Sequence, residues 1–444
     1  MSKLQPHSEY KASGIEWLPR IPKHWHLNKI SRISKLTVGW TPPTGEASSF
    51  EGNNLWANIS DLGPRVLSDT SKRISDDAVA TSRITMTPKG SLLFSFKLSV
   101  GQVSFAGRDM YTNEAIATFL ETKNIMLQYA YYAFPLFIGE NAIENIYGAK
   151  LLNQSLIGQA RIALPSVDEQ KAMATFLDAE TAEIDTFIED QNELIELLNE
   201  RRAATITKAI TKGLDPDVPM QDSHVEWLGK VPASWHVSRI ARYYDVVLGK
   251  MLDAGQEVHP DAEVLPYIRA ANIQDAGLDL SVVNSMPFTP DQAENLSIRS
   301  GDLLVVEGGK IGTSYLVLHD MDGWSFQKTV NRVRSKGTSL TSFLQYVLRS
   351  LRDSNVLGVL CNVSTIAHLT AEKLLNLRVP IPPPREQQAI VDYLNYETGE
   401  IDAAIADAKE AIDLSKERRA ALIFDVVTGK VDVRSHITAE VGAA

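Results

Sequence analysis

The chain has 444 residues and one cysteine, Cys361, which excludes an internal disulfide framework and a cysteine-based metal site and fits a reducing cytosol. Its hydrophobic share of 44% supports folded cores, while the absence of an apolar signal core in MSKLQPHSEYK and of any run of about 18 apolar residues points away from secretion and membrane spanning. The net charge of −11 argues against a nucleic-acid partner only until it is divided along the chain.

Residues 1–160 carry +3, 161–215 carry −6, 216–380 carry −3 and 381–444 carry −5. The acid sits mainly in two short segments, and the two large ones are near neutral, free to hold local basic faces. These four segments are the expected domains: two mixed, β-rich parts at 1–160 and 216–380, and two helical parts at 161–215 and 381–444.

The boundaries rest on internal repetition. IEWLPRIPKHWHLNKI at 15–30 matches VEWLGKVPASWHVSRI at 225–240 with seven identities in 16, including Trp17/Trp227, Pro22/Pro232, Trp25/Trp235 and His26/His236. The tryptophans read as core packing, and the two histidines as hydrogen-bonded structural residues. Asn58-Ile59-x-Asp61-x-Gly63 is matched to Asn272-Ile273-x-Asp275-x-Gly277, a pattern that is also turn chemistry. LLFSFKLSVGQVSFAG and LLVVEGGKIGTSYLVL, with Gly101 and Gly312 at matched places within them, each read as strand, tight loop, strand.

After each mixed part comes a proline stop, LPSVDEQ at 164–170 and IPPPREQ at 381–387, which suits helix entry. EQKAMATFLDAETAEID at 169–185 then matches EQQAIVDYLNYETGEID at 386–402 with nine identities in 17, and ERRAA recurs at 200–204 and 417–421. Ile184, Ile188, Gln191, Ile195, Leu198, Arg202 and Thr205 advance by fours and threes, as do Ile401, Ile405, Ala408, Ile412, Ser415, Arg419 and Leu422. This alternation is a heptad seam and predicts two long helices that pair antiparallel. The repeated Glu-Arg-Arg reads either as an ion-paired patch or as part of a partner's dock.

Two variable β-rich parts alternating with two similar helical parts, each opened by Pro-x-x-x-Glu-Gln (Pro165 to Gln170 and Pro382 to Gln387), resemble the specificity subunit of Type I restriction-modification systems. The repeated Glu-Trp-Leu…Pro…Trp segments at 16–25 and 226–235 add to the resemblance. It implies an α+β fold: two repeat-related target recognition domains separated by two long helices in an antiparallel coiled coil, with pseudo-two-fold symmetry. It also implies that each recognition domain reads half of a bipartite DNA site, and that the helices set the spacing and dock two methyltransferase subunits. S-adenosylmethionine, ATP and Mg then belong to the methyltransferase and motor-nuclease partners, in the cytoplasm, and no cofactor, metal or catalytic residue to this chain. The residues agree: no Asn/Asp-Pro-Pro-aromatic tetrapeptide and no G-x-x-x-x-G-K-[ST] loop occurs, and Pro260-Asp261 and Pro290-Asp291 lack a Glu-x-Lys companion. The competing reading is a two-lobed coiled-coil scaffold that does not bind DNA.

Readers of DNA need Arg, Lys, Asn, Gln or apolar groups at base edges, on loops where the repeats differ. Candidates in the first repeat are Trp40, Thr41, Asn58, Lys97, Asn113, Tyr147 and Lys150. In the second they are Lys250, Arg269, Asn272, Lys310, Gln327, Lys328, Ser364 and Thr365. Lys97 and Lys310 lead, as equivalents in the loop between two strands. Asn58 and Asn272, identical in both repeats, read first as turn-formers.

Overall fold

A computed structural model describes residues 5–435 apart from 44, 83, 145–149, 252–258 and 362–367. The chain divides into two compact units, residues 1–190 with 410–444, and residues 191–409. The division cuts both long helices, so each unit holds a mixed part and one end of each helix.

The first unit contains β1 (His26–Lys29), β2 (Lys35–Val38), β3 (Asn54–Ala57), β4 (Val66–Leu67), β5 (Leu92–Ser95), β6 (Val103–Ala106), β7 (Tyr111–Thr112), β8 (Ile116–Leu120), helix α1 (Leu127–Gly139) and β9 (Arg161–Leu164). A five-stranded sheet runs β2-β8-β5-β6-β4, and β3 pairs with β7 and with Lys72–Ile74. All four residues of β5 are buried because the strand is central and covered on both faces. Leu92 and Phe94 join the core beneath α1, while Leu93 joins a second core with Leu55, Leu67 and Ile116. The predicted strand-loop-strand is therefore β5 and β6, paired antiparallel.

Helix α1 was not legible as a helix. Tyr129, Ala130, Tyr132, Ala133, Phe134, Phe137 and Ile138 are all buried, so no polar face marks a 3.6-residue period. It makes the mixed part more helical than its turn-rich sequence suggests.

The second unit repeats the plan with β10 (His236–Arg239), β11 (Tyr244–Leu248), β12 (Glu263–Ile268), β13 (Leu303–Val306), β14 (Ser314–Leu316), β15 (Ser325–Phe326), β16 (Val330–Ser335) and β17 (Arg378–Ile381). Its main sheet runs β11-β16-β13-β14, and β12 pairs with β15 and with Asn284–Phe288. Leu303 and Val305 face one core, Leu304 and Val306 the other. In each unit an early strand pairs with the last strand of the mixed part, β1 with β9 and β10 with β17, both antiparallel.

The long helices are α2 (Val167–Lys212) and, after helix Thr341–Asp353 (α3), α4 (Pro384–Val427). Pro384 is the first residue of α4, while Pro165 stands two residues before α2. In the first unit the turn after α4 reaches the segment that precedes α2: a Cβ on Gly429 would lie 2.9 Å from Trp25, whose indole donates to Glu169 in the first turn of α2 at 3.0 Å. In the second unit the turn after α2 meets the start of α4: a Cβ on Gly213 would lie 3.1 Å from Glu386 and 3.3 Å from Trp235. Each unit thus joins the end of one helix to the start of the other, which is the expected antiparallel pairing. Every seam position read from the heptads is at least half-buried. The Arg pairs bind across the seam in repeat-equivalent fashion, Arg418 and Arg419 to Glu180 and Asp185, Arg201 and Arg202 to Glu397 and Asp402. The recurring Glu-Arg-Arg is therefore an ion-paired patch.

The Glu-Gln motif is structural as well. Gln170 is buried; its amide donates to the carbonyls of Asn124 and Pro165 and accepts from Met126 N–H. Gln387 donates to Pro382 O and accepts from Leu340 N–H. Trp25 and Trp235 fill the cores, with Trp17 and Trp227 packed against them. His26 and His236 are exposed on their strands with no side-chain hydrogen bond among the described residues, which corrects the expectation of hydrogen-bonded structural histidines. No helix among the described residues is long and apolar enough to cross a membrane.

Candidate DNA interface

In the first unit three loops are locked side by side by backbone hydrogen bonds. Trp40 N–H donates to Thr112 O at 2.9 Å, Asn113 N–H to Ala57 O at 2.9 Å, and Phe96 N–H to Ala115 O at 3.0 Å. A Cβ on Gly39 would fall 1.8 Å from Thr112 O, so glycine is what allows β2 to run this close to β7. The result is a rim that carries Trp40, Thr41, Asn58, Lys97 and Asn113 together.

The second unit builds the same rim with the same bonds. Lys250 N–H donates to Phe326 O at 3.1 Å, Gln327 N–H to Ile268 O at 2.9 Å, and Glu307 N–H to Thr329 O at 2.9 Å. A Cβ on Gly249 would lie 2.4 Å from Gln327 O. Lys250, Arg269, Lys310, Gln327 and Lys328 gather on this framework.

The hydrogen bonds also fix which residues correspond. Phe96 matches Glu307, since each donates to the strand-turn residue Ala115 or Thr329. Lys97 then stands opposite Gly308, and Lys310 opposite Ser99, so the two lysines share a loop but not a position. Likewise Ala57 matches Ile268, and the next residue caps a short helical turn in both units. Asn58 N–H donates to Asp61 Oδ2 at 2.9 Å, and Arg269 N–H to Asn272 Oδ1 at 3.1 Å. The structural partner of Asn58 is thus Arg269, and that of Asn272 is Asp61. The recurring Asn-Ile-x-Asp-x-Gly is a coincidence of sequence, slipped by three residues.

The candidates differ in freedom. Lys97, Lys310 and Lys328 are exposed. Asn113 spends its Oδ1 on Ala115 N–H, and Gln327 its Oε1 on Thr329. Trp40 is half-buried and its carbonyl accepts from Trp56 Nε1 at 2.9 Å. Asn58 bonds Ser60 and Ser71, so it is a turn-former at the rim. Arg269 is half-buried, with its Nε unpartnered among the described residues. Neither Asn272 nor Lys250 stands as a free reader: Asn272 is the turn-former it first reads as, and Lys250 corrects the sequence reading. Asn272 is buried, with its amide on Asp279 O and Val282 O, and builds a turn instead of facing outward. Lys250 turns inward, donating to Gln292 Oε1 at 2.7 Å over the Phe288 ring, and burial lowers its pKa. Lys150 lies in the short strand Lys150–Leu151; Tyr147, Ser364 and Thr365 lie outside the described residues.

Two acids in the rims were missed. Burial would raise the Glu114 carboxyl, but the Thr41 hydroxyl that donates to it and the nearby Lys97 charge hold it below its ordinary value. Glu307 is pushed up by burial, opposed by His368 and Lys328. An ionised carboxylate at a rim is an acceptor for a cytosine amino group. The adjacency of Glu114 to Asn113 was the available signal; Glu307 had none, because its counterpart is Phe96.

Comparison with known proteins accords with this geometry. The family model "Type I restriction modification DNA specificity domain" matches twice, at residues 22–197 and 233–407. The MjaVIII specificity subunit of Methanocaldococcus jannaschii is 23% identical over 429 residues, covering 94% of this chain and 95% of its own. The EcoKI specificity subunit of Escherichia coli is 23% identical over 213 residues, 46% of this chain and 44% of its own. A chain from a solved Type I restriction-modification assembly superposes with a TM-score of 0.71 at 14% identity, covering 93% of this chain and 99% of that one. The HsdS subunit from Thermoanaerobacter tengcongensis gives 0.54 at 14% identity, over 93% and 98%.

The chain belongs to the family of Type I restriction-modification DNA specificity domains. It is a Type I specificity subunit with two target recognition domains.

Proposed function

We propose that each recognition domain reads one half of a bipartite DNA sequence through its rim, and that the paired helices set the spacing between the halves. The observation that carries this reading is one backbone framework, built twice, with different side chains on it: Trp40, Thr41, Asn58 and Lys97 on one rim, Arg269, Lys310, Gln327 and Lys328 on the other. Fixed loops with exchanged side chains suit two different half-sites. The scaffold reading supplies no reason for exposed lysines beside Asn, Gln and Arg on both rims.

Two methyltransferase subunits dock on the helices in this proposal. Leu194, Leu197, Tyr393 and Tyr396 support it: all four lie off the seam and remain exposed. Methyl transfer from S-adenosylmethionine, and ATP- and Mg-dependent translocation and cutting, belong to the methyltransferase and motor-nuclease subunits, in the cytoplasm. This chain has no catalytic step of its own in the scheme.

The test is reconstitution. The purified chain alone, given S-adenosylmethionine, ATP and Mg, should neither methylate nor cut DNA; with its methyltransferase it should direct methylation to a split sequence. Methyl transfer by the isolated chain, or a reconstituted complex without sequence preference, would overturn the proposal.

A further inference from the structure

Away from the rim, the first unit brings together three metal-ligating side chains that are distant in sequence. His7 precedes the strand Tyr10–Ile15, His24 precedes β1, and Glu169 lies in the first turn of α2. His24 Nε2 is 3.0 Å from Glu169 Oε2, and His7 Nε2 is 4.0 Å from Glu169 Oε1. One donor atom from each residue lies within 4.8 Å of the others. His7 and Glu169 are buried, while His24 opens to solvent.

The surroundings are arranged as a ligand shell would be. The second ring nitrogen of His7, Nδ1, is buried and has no hydrogen-bond partner among the described residues, yet it points to Asp432 Oδ2 at 3.6 Å, in the turn after α4. Ligating histidines commonly aim their other N–H at a carboxylate, which fixes the tautomer. The indole of Trp25 donates to Glu169 Oε1 at 3.0 Å and orients the carboxylate. Arg434 binds the same Asp432 carboxylate, its guanidinium 2.5 Å from the Oδ2 that His7 faces.

The second repeat shows that the fold does not need these histidines. Glu386 and Trp235 repeat Glu169 and Trp25, but Ser234 stands where His24 stands, and Trp235 Nε1 has no partner among the described residues. The histidines are an addition to one unit and not part of the shared framework.

We propose that His7, His24 and Glu169 bind one Zn2+ ion, with His7 coordinating through Nε2 and its Nδ1–H turned to Asp432. Two imidazoles and a carboxylate are a zinc donor set, leaving a fourth position for water on the open His24 side. Zinc bonds of about 2.0–2.2 Å place tetrahedral donors roughly 3.3 Å apart. Closing from the present spacing takes small side-chain rotations, most easily of the exposed His24. The ion staples the amino-terminal segment to the start of α2, and through Asp432 engages the turn after α4. Because it binds the folded chain, it stabilises the first unit.

The test uses the full-length, tag-free chain, stripped with a chelator and titrated by calorimetry. One Zn2+ per chain should bind with micromolar or tighter affinity, Mg2+ should not compete, and the melting temperature should rise with Zn2+. Co2+ should show the visible absorption of a four-coordinate site. His24→Ala, at an exposed position, should weaken binding at least about tenfold, and Asp432→Asn by about 10–100-fold. His236→Ala should change nothing. Absence of Zn2+ binding, or binding unaltered by both His24→Ala and His7→Gln, overturns the proposal; should His7→Gln not fold, His24→Ala alone decides it.

Discussion

Lysine side chains at the two rims divide by what their ammonium groups already touch. Lys97 and Lys310 project into solvent, whereas Lys250 is satisfied by Gln292 and lies over Phe288. Lys97→Ala or Lys310→Ala should therefore cost about 1–3 kcal/mol of discrimination at one position of one half-site if the lysine contacts a base. Binding assays on cognate and substituted duplexes check this; an equal loss on every duplex marks a phosphate contact instead. Lys250→Met should lower the melting temperature and leave the target sequence unchanged. Sequence comparison located the rims through loops where the repeats differ; that Gly39 and Gly249 let the chain pass close to a neighbouring carbonyl shows only in the structure. It misaligned the residues within them: Asn58 and Asn272 are identical letters with different jobs, and only the capping hydrogen bonds pair Asn58 with Arg269. The histidine cluster was invisible for a related reason, since His24 and Glu169 are 145 residues apart and no spacing rule joins them.

At the level of elements, two kinds of contact hold the helices, and their magnitudes differ. The cross-seam ion pairs lie partly in water, as with Arg202 and Asp402 at 2.6 Å, so each contributes on the order of 0.2–1 kcal/mol. Gln387 is fully buried and bridges Pro382 O to Leu340 N–H. Its removal strands both groups, each unpaired group costing about 1–3 kcal/mol. Gln387→Ala should thus destabilise the second unit clearly more than Arg202→Ala does, as denaturant unfolding would show; equal effects would mean the amide network is dispensable. The seam was legible because α2 and α4 are amphipathic along one narrow stripe. Helix α1 was not, because its apolar residues leave no polar face to set a period, and α3 went unread although its apolar and polar faces alternate well.

For the whole molecule, the acid that seemed to oppose DNA binding is concentrated in the helical segments, −6 over 161–215 and −5 over 381–444, while the first mixed part carries +3. If the helix pair acts as the spacer, one heptad added after Leu198 and another before Ile405, beside the Arg202–Asp402 pair, keeps the seam in phase. Seven residues lengthen a helix by roughly 10 Å, or about three base pairs at 3.4 Å each. Methylated sites should then show a longer non-specific spacer between unaltered half-sites; an active variant with its spacer unchanged would remove the helices from that role. The claim on which everything else rests is that the two domains read independently. It is tested by replacing residues 30–150 with the matching segment of another Type I specificity subunit and mapping methylated sites across a genome in cells that carry the hybrid with its methyltransferase. The account predicts that one half of the split sequence changes and the other stays as it was, and a hybrid in which both halves change together would contradict it.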